Sequence, residues 1–151
     1  MILALDAGTT STRAILFNEE GQSVATAQKE FPQYYPKAGY VEHHGNEIWQ
    51  AQLAAAREAV EKSGVASSEI KAIGITNQRE TTLVWDRETG LPIYPAIVWQ
   101  CRRTTEMIEK MTKENPSVIQ LIKEKTGLVF DPYFSATKLS WILNHVKGAR
   151  E

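Results

Sequence analysis

The sequence predicts an α/β domain built around a mixed β-sheet. Two observations support this class: strand-like apolar and alternating segments occupy the first thirty residues, and a helical pattern followed by a further apolar segment comes next. The remaining third of the chain carries helical periodicity. A chain of 151 residues has the length of one ordinary domain. Hairpin-connected strands beside a strand that follows a helix give a mixed sheet with an antiparallel edge.

Composition excludes several classes of protein. Hydrophobic residues make up 42% and charged residues 23%, as in ordinary globular chains. The 17 basic and 18 acidic residues give a net charge of −1, so no nucleic-acid or anionic-membrane partner is expected. No apolar stretch is long enough to span a membrane, and no basic segment precedes Ile2 as in a signal peptide. The lone Cys101 cannot form an internal disulfide, which favours a cytoplasmic protein.

The first three elements are predicted to be strands of an antiparallel meander. Two apolar runs, Ile2–Leu5 and Arg13–Phe17, flank a turn at residues 8–10, and residues 22–31 alternate small apolar and polar side chains. A helix with Asn46 as its N-cap follows and ends at Gly64. Its predicted buried face consists of Trp49, Leu53, Ala56 and Val60.

The second half is predicted to hold one more buried strand, a hairpin and three helices. Residues 70–76 form a nearly continuous apolar run, typical of a strand buried on both faces. Residues 81–85 and 93–99 are the predicted arms of the hairpin, joined by a polar loop. Helix caps are predicted at Thr104, Asn115 and Ser135. The last helix is expected to bury Leu139, Ile142, Leu143 and Val146.

A turn rich in hydroxyl groups follows the first predicted strand and is a candidate phosphate-binding site. Gly8 allows a tight turn, and successive backbone N–H groups in such a turn form an anion-binding concavity. Asp6 at the strand end could hold magnesium through water, and Arg13 could reach a phosphate. No Gly-Lys-Ser/Thr follows, so the segment is not a Walker A loop. An ordinary hairpin turn rich in threonine accounts for the same residues.

Three further polar or aromatic segments could bind a small hydroxylated ligand. Residues 77–80, Asn-Gln-Arg-Glu, follow the predicted buried strand directly and offer hydrogen-bond donors and acceptors. Trp99 ends an apolar run beside two arginines, and Tyr133 follows a proline that fixes a turn. A solvated loop, a core tryptophan and a packed tyrosine are the alternative interpretations.

Four segments together resemble the FGGY carbohydrate kinase family, in the order found there: Asp6–Arg13, Gly74–Thr82, Ile97–Arg103 and Asp131–Ser135. The resemblance runs from Ile2 to about Glu151. Residues 77–80 and 99–102 are similar to those of the members that phosphorylate glycerol.

The resemblance implies a ribonuclease H-like (actin-like ATPase) fold, with residues 1–151 as the N-terminal, incomplete part of the first kinase domain. It also implies roles for nine residues. Those expected to contact nucleotide phosphates are Thr9, Thr10, Ser11 and Arg13, with Asp6 near the metal. Those expected to bind glycerol are Arg79, Glu80 and Tyr133, with Trp99 as an aromatic wall.

The activity implied is ATP-dependent phosphorylation of glycerol to glycerol 3-phosphate, with ATP and Mg²⁺ as cofactors, ADP as product and a homo-oligomeric full-length enzyme. The general base of the family lies beyond residue 151, so no catalytic residue is expected in this chain and the chain alone is expected to be inactive. Two alternatives stay open. One is a non-catalytic module that binds a polyol or a partner, and the other is a kinase for a different polyol or sugar of the same family.

Overall fold

The computed structural model describes residues 1–151, which form two compact units. The first unit contains residues 1–33 and 44–79, and the second contains residues 34–43 and 80–151. The strands are β1 (Ile2–Ala7), β2 (Ser11–Phe17), β3 (Ser23–Glu30), β4 (Glu42–His43), β5 (Ala72–Thr76) and β6 (Ala96–Ile97). The helices are α1 (Gly45–Ser63), α2 (Thr105–Glu114), α3 (Ser117–Thr126) and α4 (Ser135–His145), with a short 3₁₀ turn at Ser67–Glu69.

The first unit is a four-stranded mixed sheet covered on one face by α1. Its strand order is β3-β2-β1-β5, with β1–β2 and β2–β3 antiparallel and β1–β5 parallel. The predicted meander and the mixed sheet are therefore confirmed. The core under α1 consists of Leu3, Ala14, Leu16, Ala27, Ala55 and Ala59.

Helix α1 buries a face one position away from the predicted one. The helix begins at Gly45 after His44, so Asn46 lies inside the first turn and is not the N-cap. Its buried residues are Gln52, Ala55 and Ala59, while Trp49 is 58% exposed. Small side chains allow the helix to approach the sheet closely, which a face built on the largest apolar residues would prevent. The predicted glycine stop is confirmed, because Gly64 caps the helix in the left-handed conformation at φ 67°.

Strand β5 is exposed, contrary to the prediction of a strand buried on both faces. Ile73 and Ile75 are 60% and 77% exposed. Their register with Leu3 and Leu5 places them on the face that carries α1. The helix contacts β1, β2 and β3 and does not extend over β5, which is the edge strand. A continuous apolar pattern thus identified the strand without identifying its environment.

In the second unit the predicted hairpin is present as a turn but not as two full strands. Backbone hydrogen bonds join Asp86 to Leu91 and Thr82 to Ile97, yet the arms make only isolated bridges. Proline residues at positions 92 and 95 lack the N–H that a longer ladder requires. Strand β6 instead pairs antiparallel with β4.

The three predicted helices of the second unit exist. Thr104 is the N-cap of α2 as predicted, whereas the caps of the other two helices and the buried face of α4 differ from the prediction. Helices α3 and α4 follow Pro116 and Phe134, one residue away from the predicted caps Asn115 and Ser135. Helix α4 buries Ile142 as expected. It also buries Thr137 and Lys138, whereas Leu139 is 42% exposed. No helix in the structure is both long enough and apolar enough to cross a membrane.

Candidate functional site

The turn between β1 and β2 is held tightly by neighbouring backbone and side chains. A Cβ atom at Gly8 would lie 2.7 Å from the carbonyl oxygen of Ser11, so the turn requires glycine there. The Phe31 N–H donates to the carbonyl of Thr10, and Gln33 Nε2 donates to the carbonyl of Thr9 at 3.1 Å. Since the protein itself engages these carbonyl oxygens, the turn offers mainly donor groups to a ligand.

Two hydroxyl groups of the turn remain available to a ligand. The Thr10 side chain is exposed and makes no hydrogen bond within the protein. Ser11 Oγ accepts a hydrogen bond from Gln28 Nε2 at 2.9 Å, which leaves its own proton free to be donated. Hydroxyl donors beside backbone N–H groups suit an anionic ligand such as a phosphate.

Helix α1 braces the same hairpin through two buried polar side chains. Thr12 is fully buried, and its hydroxyl group donates to the Asp6 carbonyl at 3.1 Å and to the side-chain oxygen of Gln52. Gln52 Nε2 donates in turn to the Arg13 carbonyl at 3.1 Å. Sequence reasoning missed this brace. The available signal was the spacing of Gln52, Ala55 and Ala59, which places a polar residue on the same helix face as two small ones.

Asp6 and Arg13 lie opposite each other on the sheet face that α1 does not cover. They are register partners in the antiparallel pair β1–β2, so their side chains leave the sheet on the same side. Neither side chain forms a hydrogen bond or ion pair, and Arg13 is exposed. No group of three or more histidine, cysteine or acidic side chains forms a metal site. Asp6 is a single carboxylate, so any cation beside it would need water or a bound phosphate for its other ligands.

Arg79 belongs to the same edge of the sheet as the turn. Strand β5 runs parallel to β1 and ends at Thr76, the register partner of Asp6. The carboxyl ends of two neighbouring parallel strands therefore meet there, and Arg79 follows β5 by three residues. Its side chain is exposed and has no ion-pair partner. This edge of the sheet thus presents two free guanidinium groups, those of Arg13 and Arg79.

In the second unit, Glu80 is held at the N-terminus of α4. Its Oε2 accepts hydrogen bonds from the backbone N–H and the hydroxyl group of Ser135, both at 2.8 Å. The positive end of the helix dipole stabilises a carboxylate in that position. Glu80 also adopts the left-handed backbone conformation, with φ 60°. One carboxylate oxygen is fixed by the protein, and Oε1 remains free to accept a ligand hydroxyl.

Lys138 joins two of the predicted ligand-binding residues through their backbones. Its side chain is completely buried, and its Nζ donates to the Glu80 carbonyl at 3.0 Å and to the Tyr133 carbonyl. Burial lowers the pKa of this ammonium group to about 8, although the negative charges of Glu80 and Asp131 oppose the shift. Sequence reasoning did not identify Lys138. The available signal was its position one helical turn before Ile142, which was expected to be buried.

Tyr133 and Trp99 form an aromatic pair, with ring centroids 5.6 Å apart and an angle of 62° between the rings. Phe134 packs against Tyr133 edge-on at 5.0 Å. The Tyr133 N–H donates to Asp131 Oδ1 at 2.8 Å, which fixes the turn that presents the ring. The Tyr133 hydroxyl group makes no hydrogen bond within the protein. The pair offers an apolar surface together with a free phenolic group.

A buried arginine supports the segment that carries Trp99. The Arg103 side chain is fully buried and contacts Glu42 Oε1 at 2.6 Å. Its guanidinium group also lies over the rings of Tyr40 and Trp141, 4.1 and 4.6 Å from their centroids. Glu42 belongs to β4, whose partner β6 ends two residues before Trp99. The ion pair therefore fixes the strand pair from which Trp99 projects.

The second unit thus brings Glu80, Trp99 and Tyr133 together, which the sequence placed 19 and 34 residues apart. An acceptor oxygen, a phenolic hydroxyl and an aromatic wall suit a small ligand with several hydroxyl groups and a carbon edge. In the first unit, Asp6 and Arg13 are register partners close to the turn.

The whole chain matches a known family. Residues 1–151 match the model of the N-terminal domain of the FGGY family of carbohydrate kinases. The chain is 58% identical over 150 residues to a glycerol kinase of Alkaliphilus metalliredigens and to glycerol kinase 1 of Lactiplantibacillus plantarum. These matches cover 99% of this chain but 30% and 29% of the relatives.

Solved structures of similar fold agree with this match. The glycerol kinase of Plasmodium falciparum with ADP overlaps with a TM-score of 0.91 at 36% identity, covering 99% of this chain and 29% of that one. The gluconate kinase of Lactobacillus acidophilus overlaps with a TM-score of 0.85 at 24% identity, covering 98% of this chain and 29% of that one, and supports the fold alone. The ribonuclease H-like mixed sheet with helices, implied by the resemblance, is confirmed by these overlaps.

Proposed function

Because the chain belongs to the FGGY family of carbohydrate kinases, we propose that it is the N-terminal part of an enzyme that transfers a phosphoryl group from ATP to glycerol. The chain spans about 30% of the length of its bacterial relatives. Residues 1–151 would then form part of the first kinase domain, and the general base would lie in the remainder of the enzyme. The homo-oligomeric state and the cytoplasmic location of the whole enzyme are part of the same proposal.

The observation that carries the choice of glycerol is the arrangement of Glu80, Trp99 and Tyr133. Ser135 holds one carboxylate oxygen of Glu80 with two hydrogen bonds, so the other oxygen is available to accept from a substrate hydroxyl. The phenolic group of Tyr133 can pair with a second hydroxyl, and Trp99 can cover the carbon edge of the triol. Arg79, which has no partner in the protein, is proposed as an additional donor to glycerol.

The hairpin turn of the first unit supports a nucleotide site. Thr9, Thr10 and Ser11 would bind phosphate oxygens, with Arg13 neutralising part of their charge. The unpaired carboxylate of Asp6 fits a position beside a hydrated magnesium ion. ATP supplies the transferred phosphoryl group, and magnesium neutralises the charge of its phosphates. The protein groups contribute positioning, which dominates catalysis of phosphoryl transfer.

The test is substrate-dependent ADP release by the full-length protein that contains this chain. Glycerol, xylulose and gluconate are compared at equal concentration with ATP and Mg²⁺, and a reaction without sugar or polyol serves as the blank. We expect release with glycerol to exceed release with the other two by at least tenfold.

Two other outcomes would contradict the proposal. Faster release with xylulose or gluconate would favour a kinase for another substrate of the family. Glycerol binding by calorimetry without any ADP release would favour a non-catalytic polyol-binding module.

A further inference from the structure

We propose that Lys138 is a positioning residue of the polyol site, which holds Glu80 and Tyr133 in one fixed arrangement through their backbone carbonyl groups. The inference rests on the proposed function, since it concerns how that site is assembled. According to this inference, Lys138 affects the affinity for the substrate although it is not one of the residues proposed to contact the substrate.

A fully buried lysine requires a specific explanation. Lysine is among the residues least often buried, because an ammonium group loses its hydration inside a protein. Lys138 is 0% exposed, yet its helix position could have carried an apolar side chain beside Ile142. Its Nζ donates instead to two carbonyl oxygens, one 58 residues and one 5 residues away along the chain. Both carbonyl groups lie in turns, where no helix or strand partner satisfies them.

The backbone of Glu80 needs this support. A non-glycine residue at φ 60° is in the left-handed region, which is adopted when the surroundings enforce it. Three hydrogen bonds from the first turn of α4 do so: two from Ser135 to the carboxylate and one from Lys138 to the carbonyl group. Ser135 and Lys138 are three positions apart and so share one face of the helix. The carboxylate and the backbone of Glu80 are therefore oriented by the same rigid element.

Tyr133 is held by the same ammonium group of Lys138. The second hydrogen bond of Lys138 fixes the turn that presents the Tyr133 ring, and the ammonium group lies 5.9 Å from that ring. Lys138 thus links the backbones that carry the Glu80 carboxylate and the Tyr133 phenolic group, and it hydrogen-bonds to neither of these two side-chain groups. Without the ammonium group, the two ligand contacts would move independently, and glycerol would have to order them on binding.

The experiment compares Lys138→Met with Thr137→Val in the full-length enzyme. Lys138→Met keeps the volume and length of the side chain and removes its donor. Thr137→Val is the matched control, because Thr137 is also buried on α4 and bonds Thr104 Oγ1 at 2.9 Å without contacting the polyol site. Both variants remove buried hydrogen bonds, so urea unfolding should show a loss of stability in each.

We expect Lys138→Met to raise the KM for glycerol about tenfold, since a lost buried hydrogen bond corresponds to such a change in affinity. The KM for ATP should change by less than about twofold, and Thr137→Val should leave both constants near those of the wild type. Equal glycerol KM values for Lys138→Met and the wild type would overturn the inference. A parallel rise in both KM values for Lys138→Met would also overturn it, because it would indicate a general structural role.

Two controls keep the outcome decisive. If Lys138→Met does not fold, Lys138→Arg is tested in its place, because arginine keeps the positive charge but moves the hydrogen-bond donors. A raised glycerol KM for Lys138→Arg supports the inference, and an unchanged glycerol KM refutes it. Wild-type turnover is measured first. An inactive wild type would refute the proposed function and this inference with it, whereas an active wild type with an unaffected Lys138→Met would refute this inference alone.

Discussion

Replacing Gly8 with alanine should weaken nucleotide binding selectively. The added Cβ atom would lie 2.7 Å from the carbonyl oxygen of Ser11, well inside ordinary van der Waals contact. The obstructing atom belongs to the backbone, so it cannot rotate away as a flexible side chain could. The turn must therefore open by several tenths of an ångström. Because the hydroxyl groups of Thr10 and Ser11 lie on this turn, their separation changes with it.

The size of the effect follows from the cost of overpacking. Forcing an extra methyl group into a closely packed position typically costs about 1–3 kcal/mol in the free energy of unfolding. A comparable loss at the phosphate contacts corresponds to roughly a tenfold weaker affinity for ADP. Urea unfolding measures the first quantity in the full-length protein, and calorimetric titration with ADP measures the second. The KM for glycerol should stay within about twofold of the wild type.

Gly74→Ala is the matched control. A Cβ atom at Gly74 would meet no atom within 4 Å, and the residue lies in strand β5 of the same unit. Alanine is favoured over glycine inside a strand, so the free energy of unfolding should stay unchanged or rise by up to about 1 kcal/mol. The reasoning is refuted if Gly8→Ala shows wild-type ADP affinity and loses less than about 0.5 kcal/mol of stability.

Three further predictions concern charged residues. Arg79→Ala should lower glycerol affinity about tenfold and leave ADP affinity nearly unchanged. Arg13→Ala should instead lower ADP affinity and leave glycerol affinity nearly unchanged. Calorimetric titration of both variants with both ligands tests this, and equal small effects on the two affinities would contradict it. Arg103→Leu should lower the free energy of unfolding by about 3–5 kcal/mol, because the buried carboxylate of Glu42 would lose its cationic partner and keep only the hydrogen bond from the Tyr94 hydroxyl group. Urea unfolding with an unchanged midpoint would exclude this role. Hydrogen bonds from two lysines lower the pKa of Glu58 from 4.5 to about 2, so this group should stabilise the fold above pH 4.5 and lose that contribution as the pH falls towards 2. The difference in urea midpoint between wild type and Glu58→Gln should shrink over that range, and a constant difference would contradict the shift.

Much of the fold was accessible from local patterns. The meander, the glycine that ends α1 and the positions of the helices follow from turn residues and periodicity, which act over a few neighbouring residues. Local patterns did not predict which side chains of those elements are buried. The apolar residues Trp49, Ile73 and Ile75 are exposed, since burial depends on which other element covers them. A helix packs on a sheet through the face that lets it approach most closely, and in α1 that face carries Ala55 and Ala59 together with the hydrogen-bonded Gln52.

For the candidate site, the residue types at strand ends and turns can be read from the amino-acid order alone: a carboxylate and hydroxyl groups around Gly8, the polar residues 77–80, and the two aromatic residues. Those types made phosphates and hydroxylated ligands candidates, while an ordinary turn, a solvated loop and packed aromatic residues accounted for the same segments. The connection between Glu80 and Tyr133, through the buried ammonium group of Lys138 and the N-terminus of α4, is evident only in the folded chain. The physical reason is that a buried cation is stable only where distant carbonyl groups converge on it, and that convergence exists only after the chain has folded.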